Sequence, residues 1–182
     1  MRMRSAAIVF VVAFAIQPTL LRCAAIGGVT PNLLLCLVIV FAFLYDEPMG
    51  LALGAAFGLL WDLAFGLYAG VSGISFMATA LAMTRLRKYL NHELPLPAIV
   101  AGVVGSSLNS LVYWGIYKLA GAPHSLMYIL DAQPALIAYN VVAVFALHLA
   151  LRGGVIRHRK DQYYKGGFRE ANDLRLAAQK IR

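Results

Sequence analysis

Between Gly50 and Gly73 the chain reads GLALGAAFGLLWDLAFGLYAGVSG, an almost wholly apolar run that holds a single carboxylate, Asp62. Glycines stand at Gly50, Gly54, Gly58 and Gly66, and Asp62 fills the vacant place in that four-residue series. On a helix, residues four apart share a face. Small residues at this spacing let two membrane helices approach closely. A titratable group at membrane depth is costly, so it normally faces a bundle interior. The pattern predicts that Asp62 lies on a helix-packing ridge formed by Gly50, Gly54, Gly58 and Gly66. Its role there is either to bind a partner or ligand, or to anchor helix packing.

The rest of the chain fits this setting. Of its 182 residues 61% are hydrophobic and 13% charged, about half the charge of an ordinary soluble domain. Several apolar runs reach the roughly 17–25 residues needed to cross a bilayer. No long amphipathic alternation suggests barrel strands, so the spans are expected to be helices. The net charge is +8, and nine of the sixteen Lys and Arg residues lie from Arg152 onward. The basic character therefore belongs to a membrane-proximal tail and not to a nucleic-acid surface. Two cysteines, Cys23 and Cys36, do not make a disulfide framework. The N-terminal MRMR and the apolar run after it read as an uncleaved first span, because no small-x-small cleavage site follows.

Taken in order, the spans fall at about Ser5–Leu21, Pro31–Tyr45, Met49–Leu67, Val71–Thr84, Ala98–Leu119 and Pro134–Leu151. Thr30 is the expected N-cap of the second, with Pro31 in its first turn. The Leu94-Pro95-Leu96-Pro97 segment is expected to break the chain. Fusing the third and fourth spans would leave five crossings. Basic residues favour six, because Arg2, Arg4, the Arg85–Lys88 loop and the tail then share one side, the cytoplasmic one. The expected organisation is an all-α polytopic bundle over residues 1–151 with a basic cytoplasmic tail over 152–182, both termini inside, in a bacterial cytoplasmic membrane.

At about 1.5 Å per residue, Asp62, Asn109, Asn140 and Gln17 reach similar heights in the outer third of such a bundle. Ser72, Ser75 and Asn32 lie at the outer ends of their spans. This predicts an amide-and-carboxylate layer in which Asp62 accepts a hydrogen bond from Asn109 or Asn140. The plainer alternative is that each polar group bonds its own backbone or a neighbour, above all for the serines and Thr79. Trp61, Tyr68, Tyr113, Trp114 and Tyr117 suit an outer interfacial belt.

Little else in the chain suggests chemistry. No His, Cys and Asp cluster has metal-ligand spacing, and no phosphate loop or nucleophile motif occurs. No cofactor and no enzymatic activity are expected from one carboxylate without a second acid, a metal or a nucleophile. In the tail, Phe168, Ala171, Leu174, Ala178 and Ile181 recur at helical spacing. They suggest a short amphipathic helix on anionic lipid, unless the tail is simply a solvated topology anchor.

The segment Pro31-Asn32-Leu33-Leu34-Leu35, the glycines Gly50, Gly54 and Gly58, the run Gly58-Leu59-Leu60-Trp61-Asp62, and then Gly66 and Gly70 resemble the MreD family of bacterial rod-shape-determining membrane proteins. The resemblance covers roughly Gly27 to Lys88. Many members of that family carry Asp where this chain has Asn32. The resemblance implies a non-enzymatic component of the cell-elongation machinery. Such a protein would associate with the single-span scaffold MreC and, with the actin-like MreB, help place peptidoglycan synthases. It also implies a six-helix fold similar to the substrate-binding subunits of energy-coupling-factor vitamin transporters. That similarity makes a small-molecule-binding transport subunit the alternative function.

Overall fold

The computed structural model describes residues 3–23, 29–45, 47–66, 68–90, 94–119, 121 and 133–151. Six helices account for nearly all of them: α1 (Met3–Cys23), α2 (Leu33–Leu44), α3 (Glu47–Phe65), α4 (Val71–Leu86), α5 (Pro95–Leu119) and α6 (Gln133–Leu151). Their bounds differ from those of the six expected spans by a few residues. Two differences have a physical cause. The Leu94–Pro97 segment opens α5 instead of breaking the chain, because prolines in a first helical turn remove N–H groups that would lack partners there anyway. The N-cap of α2 is Asn32, not Thr30. Its φ of −96° and ψ of 94° are extended, and its side chain accepts from the Leu35 N–H.

Side-chain contacts fix the directions of the helices. Phe10 of α1 meets Phe41 of α2, while Gln17 reaches Asn32 and Leu34 at the other end. These two helices are antiparallel. Gly50 packs on Ala42 and Gly54 on Val38, so α3 is antiparallel to α2. Gly58 abuts Gly73 and Gly54 faces Phe76, so α4 reverses again. Tyr68, just before α4, packs on Tyr117 near the end of α5. Asn140 lies beside Cys36 and His148 beside Phe43, so α6 runs parallel to α2. The described helices thus alternate in direction. The starts of α2, α4 and α6 share one end of the bundle with the finishes of α1, α3 and α5. This is called the cap end below.

The helix at the centre is α2, not the glycine-rich α3. Every residue from Leu34 to Leu44 is buried, and α1, α3, α4, α5 and α6 all pack against it. Its sequence, LLLCLVIVFAFL, is apolar on all sides, as a fully enclosed helix requires. Small residues let its neighbours close in. A Cβ at Gly50 would stand 2.8 Å from the Ala42 Cβ, and one at Gly105 of α5 would stand 2.7 Å from the Ile39 side chain. The outside of the bundle is apolar as well. Ile8 and Val11 on α1, Leu63 and Phe65 on α3, Leu111 on α5 and Val142 on α6 are all exposed. The polar residues Gln17, Asp62, Ser72, Ser75, Thr79, Ser106, Asn109, Asn140 and His148 are buried. An apolar exterior over a partly polar interior suits a hydrocarbon solvent.

Two helical segments, Leu96–Leu119 and Gln133–Leu151, are long and apolar enough to cross a membrane by themselves. The other apolar helical segments are shorter, and α2 with its 12 residues is about 18 Å long, against a hydrocarbon core of about 30 Å. Both ends of so short a helix fall within the body of the bundle. Its unpaired backbone groups must then find partners inside the protein.

Candidate functional site: two capped helix starts

The first helix start belongs to α4. Its N-cap is Gly70, in the left-handed region at φ +96° and with no side chain to offer. The missing acceptor comes from another helix. Asp62 of α3 takes the Ser72 N–H on Oδ2 at 2.7 Å, the bond that an N-cap side chain ordinarily accepts. The carboxylate is 4% exposed, and it also meets the positive end of the α4 dipole. One turn earlier, Gly58 lies against the backbone of Ser72 and Gly73, where a Cβ would come within 2.7 Å of the Gly73 Cα. That close approach allows the short Asp side chain to reach the N–H. The glycine spacing and the acid four residues on are therefore one device.

Gly66 acts differently from the other three glycines. It follows the last residue of α3, and its N–H donates to the Asp62 carbonyl at 2.8 Å. The nearest atoms a Cβ there would meet are those of the Asp62 backbone, in the helix it follows. Gly50 faces α2, Gly54 lies between α2 and α4, and Gly58 faces α4.

The second helix start belongs to α2, and three amides surround it. Asn32 Oδ1 accepts the Leu35 N–H at 3.0 Å. Gln17 Oε1 accepts the Leu34 N–H at 3.0 Å, and Gln17 Nε2 donates to Asn32 Oδ1 at 3.4 Å. Asn140 Oδ1 accepts the Asn32 N–H at 3.1 Å, and the Cys36 thiol lies 3.6 Å from the same oxygen. Residues of α1, α6 and the cap position thus take the N–H groups of Leu34, Asn32 and Leu35 at the start of one helix. Gln17 is about six residues from the end of α1 and Asn140 about seven from the start of α6, which places this cluster roughly 10 Å below the ends of those helices. At the far end of α2 the Arg87 guanidinium donates to the Tyr45 carbonyl.

The structure therefore divides the expected layer. Gln17, Asn32 and Asn140 come together at α2. Asp62 accepts from the Ser72 backbone, not from Asn140, whose amide nitrogen makes no hydrogen bond, nor from Asn109. The physical reason is that a helix start in a low-dielectric interior presents several N–H groups that nothing inside its own helix can satisfy. Asn109 is buried on α5, and its Oδ1 makes no hydrogen bond. Ser75 and Thr79 bond the Ser72 and Ser75 carbonyls of their own helix. Reasoning from the sequence missed Cys36, Arg87 and the capping roles. A short, entirely apolar helix preceded by Asn was the signal that its ends needed partners.

Aromatic residues line the same end. Tyr113 donates to or accepts from Tyr117 at an O–O distance of 3.2 Å with the rings stacked, and Tyr68 stands edge-on to Tyr117. Trp61 instead packs between Phe14 and Phe65, joining α1 to α3. Cys36 is a free, buried thiol. Among the described residues no group of three His, Cys, Asp or Glu side chains could hold a metal ion. The basic tail and its suggested helix lie outside the described residues.

No curated protein and no solved structure matches the chain. A family model does, over residues 1–153, which takes in all six helices. It describes the rod shape-determining protein MreD, and the chain belongs to the MreD family.

Proposed function

We propose that the chain is a non-enzymatic component of the bacterial cell-elongation machinery, crossing the cytoplasmic membrane six times. In this reading it docks an MreC-like single-span scaffold and, through it, helps MreB and the peptidoglycan synthases act along the rod. The family match over residues 1–153 carries the proposal, since that family determines rod shape. The apolar outer surface supports residence in the membrane. The alternating helices, with α1 beginning at the end where α6 finishes, support an even number of crossings. The cap end is then the periplasmic end, and the basic tail lies on the cytoplasmic side against anionic lipid. The vitamin-transport alternative has no observation in its favour.

The capped starts of α2 and α4 are the proposed partner-facing polar site: Asp62, Asn32, Asn140 and Gln17, together with Asn109 on α5. Gly50, Gly54 and Gly58 hold the scaffold that positions it. The test is recovery of the tagged full-length chain from native membranes. The expected result is co-purification of a single-span scaffold protein with a periplasmic coiled coil. Asp62→Ala should reduce that recovery more than it reduces the amount of chain in the membrane. Equal losses would leave Asp62 as a packing anchor only, and failure to recover any such partner would remove the docking role.

A further inference from the structure

The lipid-facing side of α4 changes character along its length. Ile74, Met77 and Leu81 are exposed and recur at helical spacing. Arg85 and Lys88 continue that stripe, and both are exposed. Past Leu86 the chain keeps turning: the Arg87, Lys88 and Leu90 N–H groups donate to the Met83, Arg85 and Leu86 carbonyls. Arg85 and Lys88 therefore stay neighbours on one face, with Tyr89 beside them at 86% exposure. Arg87 lies between them in sequence but turns inward, where its guanidinium donates to the Tyr45 carbonyl at the end of α2. One cation closes the bundle, and the other two face outward.

The depth of these two cations follows from the packing. Asp62, which caps the Ser72 N–H, stands three residues before Phe65, the last residue of α3. The start of α4 is thus about 5 Å below the end of α3. At about 1.5 Å per residue, Arg85 and Lys88 fall about 24 Å and 29 Å below that end. A hydrocarbon core is about 30 Å thick, so both cations reach the head groups of the leaflet opposite the cap end. The stripe from Ile74 to Arg85 is about 16 Å long, the depth of one leaflet. Across the seam, Gly73 lies against Ala55 of α3. One turn nearer the same head groups stands Ala52, small and exposed.

We propose that this face of α4 holds one anionic phospholipid, its phosphate between Arg85 and Lys88 and one acyl chain along Leu81, Met77 and Ile74. Between Val71 and Leu90 the chain has no acidic residue, so nothing on the stripe competes with a phosphate for the two cations. A zwitterionic lipid brings its own ammonium to a doubly positive patch, and an anionic one does not. Each cation near a membrane surface favours anionic lipid by roughly 5-fold, or about 30-fold for the pair. Tyr89 suits the same level, where amphipathic rings settle. The inference needs residence in the membrane but no scaffold partner, and it is separate from any attraction of the basic tail to lipid.

The test is thermal unfolding of the purified full-length chain in detergent, titrated with phosphatidylglycerol or phosphatidylcholine. Native mass spectrometry counts the lipids retained. With phosphatidylglycerol at ten times its Kd, Tm should rise by about 3–6 °C, and phosphatidylcholine should give no such rise. In Arg85→Gln/Lys88→Gln the rise should shrink to under about 1 °C, and the parent should retain one more phosphatidylglycerol than this variant. Arg85→Lys should keep the rise. Lys118→Gln removes an exposed cation at the cap end of α5 and should leave the rise unchanged. Equal Tm of parent and double variant without added lipid shows that the fold is intact. Should the double variant unfold early, Lys88→Gln alone carries the test, with a Kd weaker by roughly 5-fold. A rise that persists in the double variant belongs to the basic tail and overturns the proposal, as does an equal response to the two lipids.

Discussion

Gly58→Ala tests the device that joins the glycine series to Asp62. The added Cβ would stand 2.7 Å from the Gly73 Cα and 2.8 Å from the Gly73 nitrogen and the Ser72 carbonyl carbon. These are backbone atoms, so no rotamer change relieves the contact. Restoring ordinary contact distance requires α3 and α4 to part by most of an ångström. The Asp62 Oδ2 to Ser72 N bond, 2.7 Å long, must lengthen with them. Overpacking of this kind costs about 1–3 kcal/mol, and weakening a cap costs about 1 kcal/mol more. The better helix propensity of alanine returns up to about 1 kcal/mol. The net expectation is a loss of about 1–3 kcal/mol. Gly115→Ala on α5 is the matched comparison, because a Cβ there has nothing within 4 Å. It should gain a few tenths to about 1 kcal/mol from propensity alone. The assay is thermal unfolding of both variants in the same detergent or nanodisc. If Gly58→Ala proves as stable as Gly115→Ala, the α3–α4 backbone contact is not what positions the carboxylate.

Other substitutions separate the parts of the site. Asp62→Asn keeps an acceptor for the Ser72 N–H but gives up the charge, so it should cost less than Asp62→Ala, which should lose about 1–2 kcal/mol in the same unfolding assay. Gly54→Ala meets the Val38 methyl groups at 3.3 Å, which can shift, and the Phe76 Cβ at an ordinary 3.6 Å, and should fall within about 1 kcal/mol of the parent. Arg87→Met removes the donor to the Tyr45 carbonyl at the far end of α2. It should lower the unfolding temperature by an amount corresponding to about 1–3 kcal/mol, with no change at the cap end.

Much of the fold is written in hydrophobicity and glycine spacing. The six helices correspond to the six apolar runs, although Glu47-Pro48 and Pro95–Pro97 open α3 and α5 and do not act as breaks. The glycine series announces close helix packing without saying against which helix, and Gly50, Gly54 and Gly58 pack closely on α2 and α4. The centre of the bundle was less legible. A uniformly apolar helix such as α2 has no polar face to show what surrounds it, so nothing local distinguishes an enclosed helix from a lipid-facing one. Partner choice within the polar set was less legible still. Height along a helix is set by rise per residue, which correctly groups Asn140 with Gln17. The azimuth depends on which helices are neighbours, and that is decided by long-range packing. Asp62 therefore found the backbone of α4, ten residues away in sequence, and not an amide on α5 or α6.

The cap of α2 is built so that it can accept an acid as well as an amide. The groups directed at Asn32 Oδ1 are both donors, the Leu35 N–H at 3.0 Å and Gln17 Nε2 at 3.4 Å. The bond from the Asn32 N–H to Asn140 uses backbone and is indifferent to the side chain. A carboxylate at this position would keep both accepted bonds, and it would gain the favourable interaction with the start of a 12-residue helix. Against this stands the desolvation of a charge in the bundle, which those two donors and the dipole offset. Asn32→Asp should therefore leave stability within about 1 kcal/mol of the parent, whereas Asn32→Ala should lose about 1–2 kcal/mol with the cap. Thermal unfolding at neutral pH decides between them. Equal damage from both substitutions would mean that the amide nitrogen of Asn32, and not the oxygen that caps the helix, is the atom the site depends on.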